Sequence, residues 1–454
     1  MAAGGRRASS VSSGLAEVLG CPRCGRNLVA ADGEFACDAC SARYPVYGGL
    51  PCLLPDPRFW RALWLRRLDS YATGVGLRVS ALREEAQSRD ALPRTSRRLR
   101  RLADGLIVSV EWMNELFQPL REEADQLGRE AIPPRPEAGE QTAILECYEN
   151  LFRDWFWGGD ECAKTLELVA PLLPERPARV AVYGAGTGRL AIDIHDACSP
   201  DWTFALDVNP FPFLVTAQLL AGQLIALPEL PVDPVSDEVV VVDRVLSGPA
   251  TPRDGLALIY ADALHAPFTP ASLDVVVTSW FIDVARANVR TTAAAINRVL
   301  RPGGVWVNIG PLRFQAVQSR AYSIEEVLDV VSASAFELTC HDRHYLPYFH
   351  SPVSGNWRSD LAFRFAARKT GDASPVEVPE AIPPWVANPF LPVPVTPGMA
   401  VLGRTSVFTA TVLSMIDGER SIVEMARQMG SSWNVHPGPL QDQLRVFFAQ
   451  LPTG

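Results

Sequence analysis

The stretch Arg179-Val-Ala-Val-Tyr-Gly-Ala-Gly-Thr-Gly-Arg-Leu-Ala191 constrains this chain more than any other: an apolar strand runs into three glycines and out into a helix start. Gly184, Gly186 and Gly188 have no Cβ to hold the backbone away from a ligand, so the turn can press its amides against a nucleoside and open a helix behind it. A nucleotide-like cofactor is expected there.

A second strand, Trp202-Thr-Phe-Ala-Leu-Asp207, ends in an acid about 20 residues on, where a carboxylate can accept the ribose hydroxyl hydrogens. Leu258-Ile-Tyr-Ala-Asp262 ends in another acid, placed with its neighbour Ala263 to meet the adenine end. Then Leu273 to Ser279 leads through Trp280-Phe-Ile-Asp283 to a helix at Asn288 to Leu300, an Arg301-Pro-Gly-Gly304 turn and a strand, Val305 to Ile309. Alternating strands and helices predict a doubly wound parallel α/β sheet. Three glycines, two strand-end acids and the Arg-Pro-Gly-Gly turn together resemble class I S-adenosylmethionine-dependent methyltransferases, which implies a Rossmann-like sheet and that cofactor.

The chain has 454 residues, too many for one ordinary core. A formal charge of -9 argues against a broad nucleic-acid surface, since phosphate binding needs clustered cations. The arginines between Arg94 and Arg101 are expected to be a solvated helix face. No run of 18 apolar residues occurs, so no membrane partner and a cytoplasmic location are expected, with a disordered N-terminus over residues 1–18. Of nine cysteines, four form the units Cys21-Pro-Arg-Cys24 and Cys37-Asp-Ala-Cys40, with twelve residues between. Two such knuckles can close a tetrahedral thiolate site on structural zinc. Residues 19–56 are therefore expected to form a zinc ribbon, which resembles modules in front of some methyltransferases and in their activator proteins.

Residues 57–173 are expected to be a helical lid region, with an apolar stripe of Phe59, Trp60, Leu63, Trp64 and Leu68 and helices over Thr95 to Gly105, Glu111 to Gly128 and Thr142 to Phe152. The methyltransferase domain should span 174–370, with an insertion near Pro228 to Gly255 to which no fold is assigned. A proline-rich linker, 371–397, precedes a small helical unit, 398–454, that resembles winged-helix peptide-binding domains of peptide-modifying pathways. A plain helical cap is the alternative there.

Trp280-Phe-Ile-Asp-Val-Ala and Gly303-Gly-Val-Trp-Val-Asn-Ile-Gly-Pro-Leu312 resemble the carnosine N-methyltransferase family, with further matches at Arg153-Asp-Trp155, Ser323-Ile-Glu-Glu326 and Phe363 to Lys369. The resemblance implies roles. Asn150 and Arg153 would hold the cofactor's methionine end, Gly184 the turn, Asp207 the ribose and Asp262 the adenine. Asp283 would bind substrate and act in catalysis, with Trp280, Phe281, Gln315, Tyr345 and Tyr348 around it. Trp280 and Gln315 depart from the family's asparagine and histidine, which puts carnosine itself in doubt.

Methyl transfer from a sulfonium needs chiefly alignment. A neutral imidazole already has a lone pair, and a carboxylate at Asp283 would accept the hydrogen of its other nitrogen. The expected acceptor is an imidazole nitrogen of a small molecule or a peptide histidine, whose leader could add to the C-terminal unit. Transfer to oxygen or carbon, and a non-catalytic cofactor-binding scaffold, are the alternatives. Asp283 could also be a helix N-cap. His265, His341, His344 and His350 show no ligand spacing.

Overall fold

The protein is described here from a computed structural model, over residues 18–31, 33–122, 142–249, 253–285, 287–314, 321–376, 385, 390–394 and 407–450. Of the N-terminal stretch expected over 1–18, residues 1–17 lie outside the described residues, as do much of the linker and Gln315, while Val18 is buried.

The N-terminal module is four short antiparallel strands, β1 (Val29–Ala31), β2 (Glu34–Ala36), β3 (Arg43–Tyr47) and β4 (Leu50–Pro51), paired in chain order. The chain leaving β4 joins the large sheet: Cys52 bridges Tyr260 in parallel, and the Leu53 amide donates to the Tyr260 carbonyl at 2.8 Å. The module thereby covers what would be an open sheet edge.

Asp56 caps the helix Pro57–Glu85, its carboxylate accepting the Phe59 amide at 3.0 Å. Trp60, Leu63, Trp64 and Leu68 are buried along one face, as the apolar spacing predicts. The helix expected at Thr95 to Gly105 and the start of the one expected at Glu111 to Gly128 are instead one, Pro93–Leu116, because Leu99, Ala103, Leu106 and Met113 keep a single buried face across the expected break; a short helix, Gln118–Glu122, follows, and residues 123–128 lie outside the described residues. Gly105 serves close packing there, not termination: a Cβ on it would lie 2.8 Å from Val241. The helix Thr142–Phe152 has the expected bounds and runs into a π-helical turn, Arg153–Trp157.

The large sheet holds β5 (Arg179–Tyr183), β6 (Trp202–Asp207), β9 (Leu256–Tyr260), β10 (Leu273–Ser279), β11 (Leu300–Gly310), β12 (Phe336–Tyr348) and β13 (Arg358–Lys369) in the order β12-β13-β11-β10-β5-β6-β9. The central strands are parallel, and Val275, Val276 and Val277 are all buried because helices cover both faces. Helices Arg189–Cys198, Pro210–Leu220 and Val289–Val299 make the crossovers. This is a Rossmann-like methyltransferase fold, with one correction: β13 is antiparallel to both its neighbours, so the sheet is mixed.

The insertion near Pro228 is a hairpin of β7 (Ile225–Glu229) and β8 (Val242–Leu246). Buried Glu229 ties it down, accepting from Trp157 Nε1 at 3.1 Å, Arg244 Nε at 2.7 Å and the Ser351 hydroxyl at 2.8 Å. At the C-terminus, helices Val407–Ser414, Ile422–Trp433 and Pro437–Gln450 enclose Val412, Ile422, Met425, Met429, Leu444 and Phe448. Among the described residues this unit has no wing of strands, only an isolated bridge between Pro392 and Ser421.

Candidate active site

The chain lays down β5, β6 and β9 towards one edge, then returns to place β10 and β11 on the other side of β5. Open α/β sheets bind ligands in the crevice beyond the carboxyl ends of the strands at such a reversal. Gly184 follows β5 and Trp280 follows β10, and these two residues wall both cavities of the crevice. The larger cavity, about 360 Å³, is lined also by Pro55, Trp60, Asp207, Asp262, Ala263 and Phe281. The smaller, about 190 Å³, is lined by Asn150, Arg153, Asp154, Glu161, Thr187 and Tyr348 among others.

Backbone shape explains the glycines. Gly184 has φ +63°, and a Cβ on it would lie 2.6 Å from the Phe281 ring. Gly186 has φ +56° with no atom within 4 Å of a Cβ position, so the Cα side of the turn faces open space. Gly188 ends the turn as the N-cap of helix Arg189–Cys198. The Gly186 amide donates to Asp207 Oδ2 and the Asn209 amide to Oδ1, both at 2.8 Å. Burial pushes the Asp207 carboxyl up, and these amides with that of Val208 oppose the shift. Each oxygen retains acceptor capacity towards the cavity. Asp262 caps a short 3-10 turn, accepting the Leu264 amide at 3.0 Å, while its residue also lines the larger cavity.

Trp280 is the strained position. Its φ of +49° is left-handed, uncommon for a bulky residue, and is held by its amide donating to the Ile309 carbonyl at 2.8 Å. Gly310 makes room, since a Cβ there would lie 2.9 Å from Trp280 backbone atoms. The indole stacks on Tyr348 at 5.7 Å between centroids. Its Nε1 and Asn150 Oδ1 are buried without a hydrogen-bond partner, and both residues line the smaller cavity.

The π turn supplies the cation. Arg153 Nε lies 2.6 Å from Asp154 Oδ1, and its guanidinium sits 5.0 Å from the Tyr348 ring centroid and 5.4 Å from that of Phe349. Asp154 Oδ2 accepts the Thr187 hydroxyl at 2.5 Å, which binds the helical region to the glycine turn. The sequence assigns no site role to Asp154, Thr187, Glu161 or Trp60, although it places Trp60 in the apolar stripe and Asp154 beside Arg153. A buried acid inside Arg-Asp-Trp-Phe-Trp and a threonine between two glycines were the available signals.

Two expected substrate residues, Asp283 and Tyr345, stand elsewhere. Asp283 lines neither cavity: it sits in a turn closed by Val284 and Ala285 amides on the Phe281 carbonyl, and its Oδ2 accepts the Arg313 amide at 2.9 Å. Nor is it a helix cap, since Asn288 caps the following helix by accepting the Thr291 amide at 2.9 Å. Tyr345 is 76% exposed, because alternation along β12 turns it outward while Leu346 is buried. Tyr348 lines the smaller cavity, and Gln315 lies outside the described residues.

At the ribbon, the sulfurs of Cys21, Cys24, Cys37 and Cys40 all lie within 4.8 Å of one another, with 3.6 Å from Cys21 to Cys40 and 3.5 Å from Cys24 to Cys37. A tetrahedral zinc with Zn–S of about 2.3 Å requires S···S edges of about 3.8 Å, so the donor set fits that ion. No helix among the described residues is long and apolar enough to cross a membrane.

Residues 238–352 match the carnosine N-methyltransferase family. The matched segment holds β8 to β12, and with them Asp262, Trp280, Phe281 and Asp283. A carnosine N-methyltransferase of Dictyostelium discoideum is 26% identical over 172 residues, covering 34% of this chain and 36% of that protein. The chain thus spans about a third of the length of the curated relative it matches. Among solved structures, an SAM-dependent methyltransferase of Methanosarcina mazei is 12% identical, covering 44% of this chain and 96% of that one at a TM-score of 0.32. A Haemonchus contortus phosphoethanolamine N-methyltransferase, solved with phosphomonomethylethanolamine and S-adenosylhomocysteine, is 15% identical, covering 51% and 57% at a TM-score of 0.34.

Proposed function

We propose that this chain is an S-adenosylmethionine-dependent N-methyltransferase, with structural zinc in its N-terminal module. The observation that carries the cofactor reading is that two cavities meet at Gly184 and Trp280, one walled by strand-end acids and apolar rings, the other by Arg153 and two unpartnered polar atoms. The residues suit the group: Asp207 for ribose hydroxyls, Asp262 and Ala263 for the base, Asn150 and Arg153 for the amino-acid end, and open space beside Gly186 for close backbone approach. When bound, that cofactor supplies a sulfonium methyl.

The residues of this chain then have three tasks: bind, align and exclude water. Alignment alone is worth roughly 7–11 kcal/mol of barrier in well-oriented systems. Trp280, stacked on Tyr348, walls the meeting point and would hold a flat acceptor. The acceptor we propose is an imidazole nitrogen of a small molecule or peptide. Its support is the family match across Trp280–Asp283, together with a buried carboxylate in the turn whose Phe281, Val284 and Ala285 line the larger cavity. Asp283 would accept the imidazole N–H, choose the tautomer and stabilise the imidazolium.

One observation favours a second reading, transfer to oxygen or carbon: Asp283 lines neither cavity. Incubation with labelled cofactor, a panel of imidazoles and histidine peptides, and Asp283→Asn separates the two. Loss of about a hundredfold or more in the variant, on the scale of general-base removal, supports imidazole transfer. Unchanged turnover with label on oxygen or carbon removes it.

A further inference from the structure

We infer that the metal knuckle is a positioning element for the cofactor crevice: Arg23, held between Cys21 and Cys24, pins the wall segment 54–56, so metal occupancy sets cofactor affinity. This rests on the cofactor reading above and deepens it by assigning a role to the cysteine site.

The link is direct. Arg23 Nε donates to the Pro55 carbonyl at 2.6 Å, and Leu54, Pro55 and Asp56 all line the larger cavity. On one side of this segment, Leu53 is bonded to Tyr260, two residues before Asp262. On the other, Asp56 opens the helix bearing Trp60, whose Nε1 donates to the Val208 carbonyl at 2.7 Å, one residue after Asp207. The wall is therefore fastened at both ends to strands that carry the nucleoside acids, and across its middle to the knuckle.

The segment needs that middle contact. Leu54-Pro-Asp-Pro57 holds two prolines, which donate no N–H, so it cannot secure itself by a ladder of its own. Arg23 can serve only if its own backbone is fixed. It lies in a five-residue turn, Cys21 to Gly25, closed by the Gly25 amide on the Cys21 carbonyl at 2.8 Å, whose two sulfurs gain a common anchor when metal binds them. Four thiols without an ion hold each other weakly, and the knuckle then loosens with Arg23 on it.

Calorimetric titration of S-adenosylhomocysteine into the full chain tests this with three samples: zinc-loaded wild type, the same protein stripped by chelation and then reloaded, and zinc-loaded Arg23→Ala with metal content measured. Arg23→Ala should keep its zinc yet bind about three- to tenfold more weakly, the loss of one hydrogen bond. Its KM for the cofactor should rise while kcat at saturation stays unchanged. Stripping should weaken binding more, and reloading should restore it. Equal affinity in wild type and a zinc-retaining Arg23→Ala overturns the inference and leaves the cofactor reading intact. Absence of heat with zinc-loaded wild type overturns the cofactor reading, and this inference with it.

Discussion

At the scale of single residues, Asp283 and Gly186 are where the proposed chemistry can be tested. Burial pushes the Asp283 carboxyl above its usual range, opposed by the Arg313 amide. A buried acid of raised pKa contributes stability at pH below its unfolded value, about 3.9, and loses that contribution as pH rises through the folded value. Asp283→Asn should therefore gain more stability relative to wild type at pH 8 than at pH 4, read from urea midpoints. Catalysis has the opposite sense: imidazole transfer needs Asp283 ionised and the acceptor neutral, so kcat/KM of wild type should fall as pH drops through the raised value. Gly186→Ala should cost about 1–2 kcal/mol of stability for the left-handed backbone. Because nothing lies within 4 Å of the added Cβ, the fold should survive while S-adenosylhomocysteine binding falls tenfold or more, about the cost of blocking close backbone approach.

At the scale of elements, the hairpin β7–β8 does more than fill a gap between strands. Its Glu229 is buried and gathers Trp157, Arg244 and Ser351, so it holds the π turn that presents Arg153 and Asp154 to the smaller cavity. Glu229→Ala leaves the Arg244 guanidinium without its carboxylate and should destabilise the fold by about 3–5 kcal/mol in urea denaturation. Cofactor affinity should fall too, through the displaced turn. Nothing in the run Leu230 to Val241 announces a hairpin, since Pro231, Pro234 and the acids around Asp237 read as loop. The partners that make it a support, Trp157 and Ser351, are 72 and 122 residues away from Glu229.

Across the whole molecule, three units converge on one crevice: Pro55 and Trp60 follow the ribbon, Asp207 ends β6 and Asp262 lies two residues past β9, and Ala449 comes from the last helix. Phe59 packs against the C-terminal helices, and the Arg445 guanidinium lies 5.7 Å from its ring centroid. Truncation after Gly371 should remove Ala449 from the cavity wall, uncover Phe59 and weaken S-adenosylhomocysteine binding severalfold, about the effect of exposing one aromatic side chain. If that unit also presents a peptide leader, truncation should impair histidine peptides more than free imidazoles, and equal impairment removes the leader idea.

The residues by themselves determined the sheet, the glycine turn, the strand-end acids and the paired cysteines, because each follows from local periodicity, Cβ sterics or short ligand spacing. Only tertiary structure decided that β13 reverses direction, that Pro93–Leu116 is one helix, that Trp280 is left-handed, and that Asp283 turns to the Arg313 amide while Tyr345 faces water. Three of these are set by a partner far along the chain: Val241 for Gly105, Gly310 for Trp280, Arg313 for Asp283. A pattern read along a sequence records which residues want burial or a charge partner, whereas which partner they obtain is fixed by packing between segments that the pattern leaves independent.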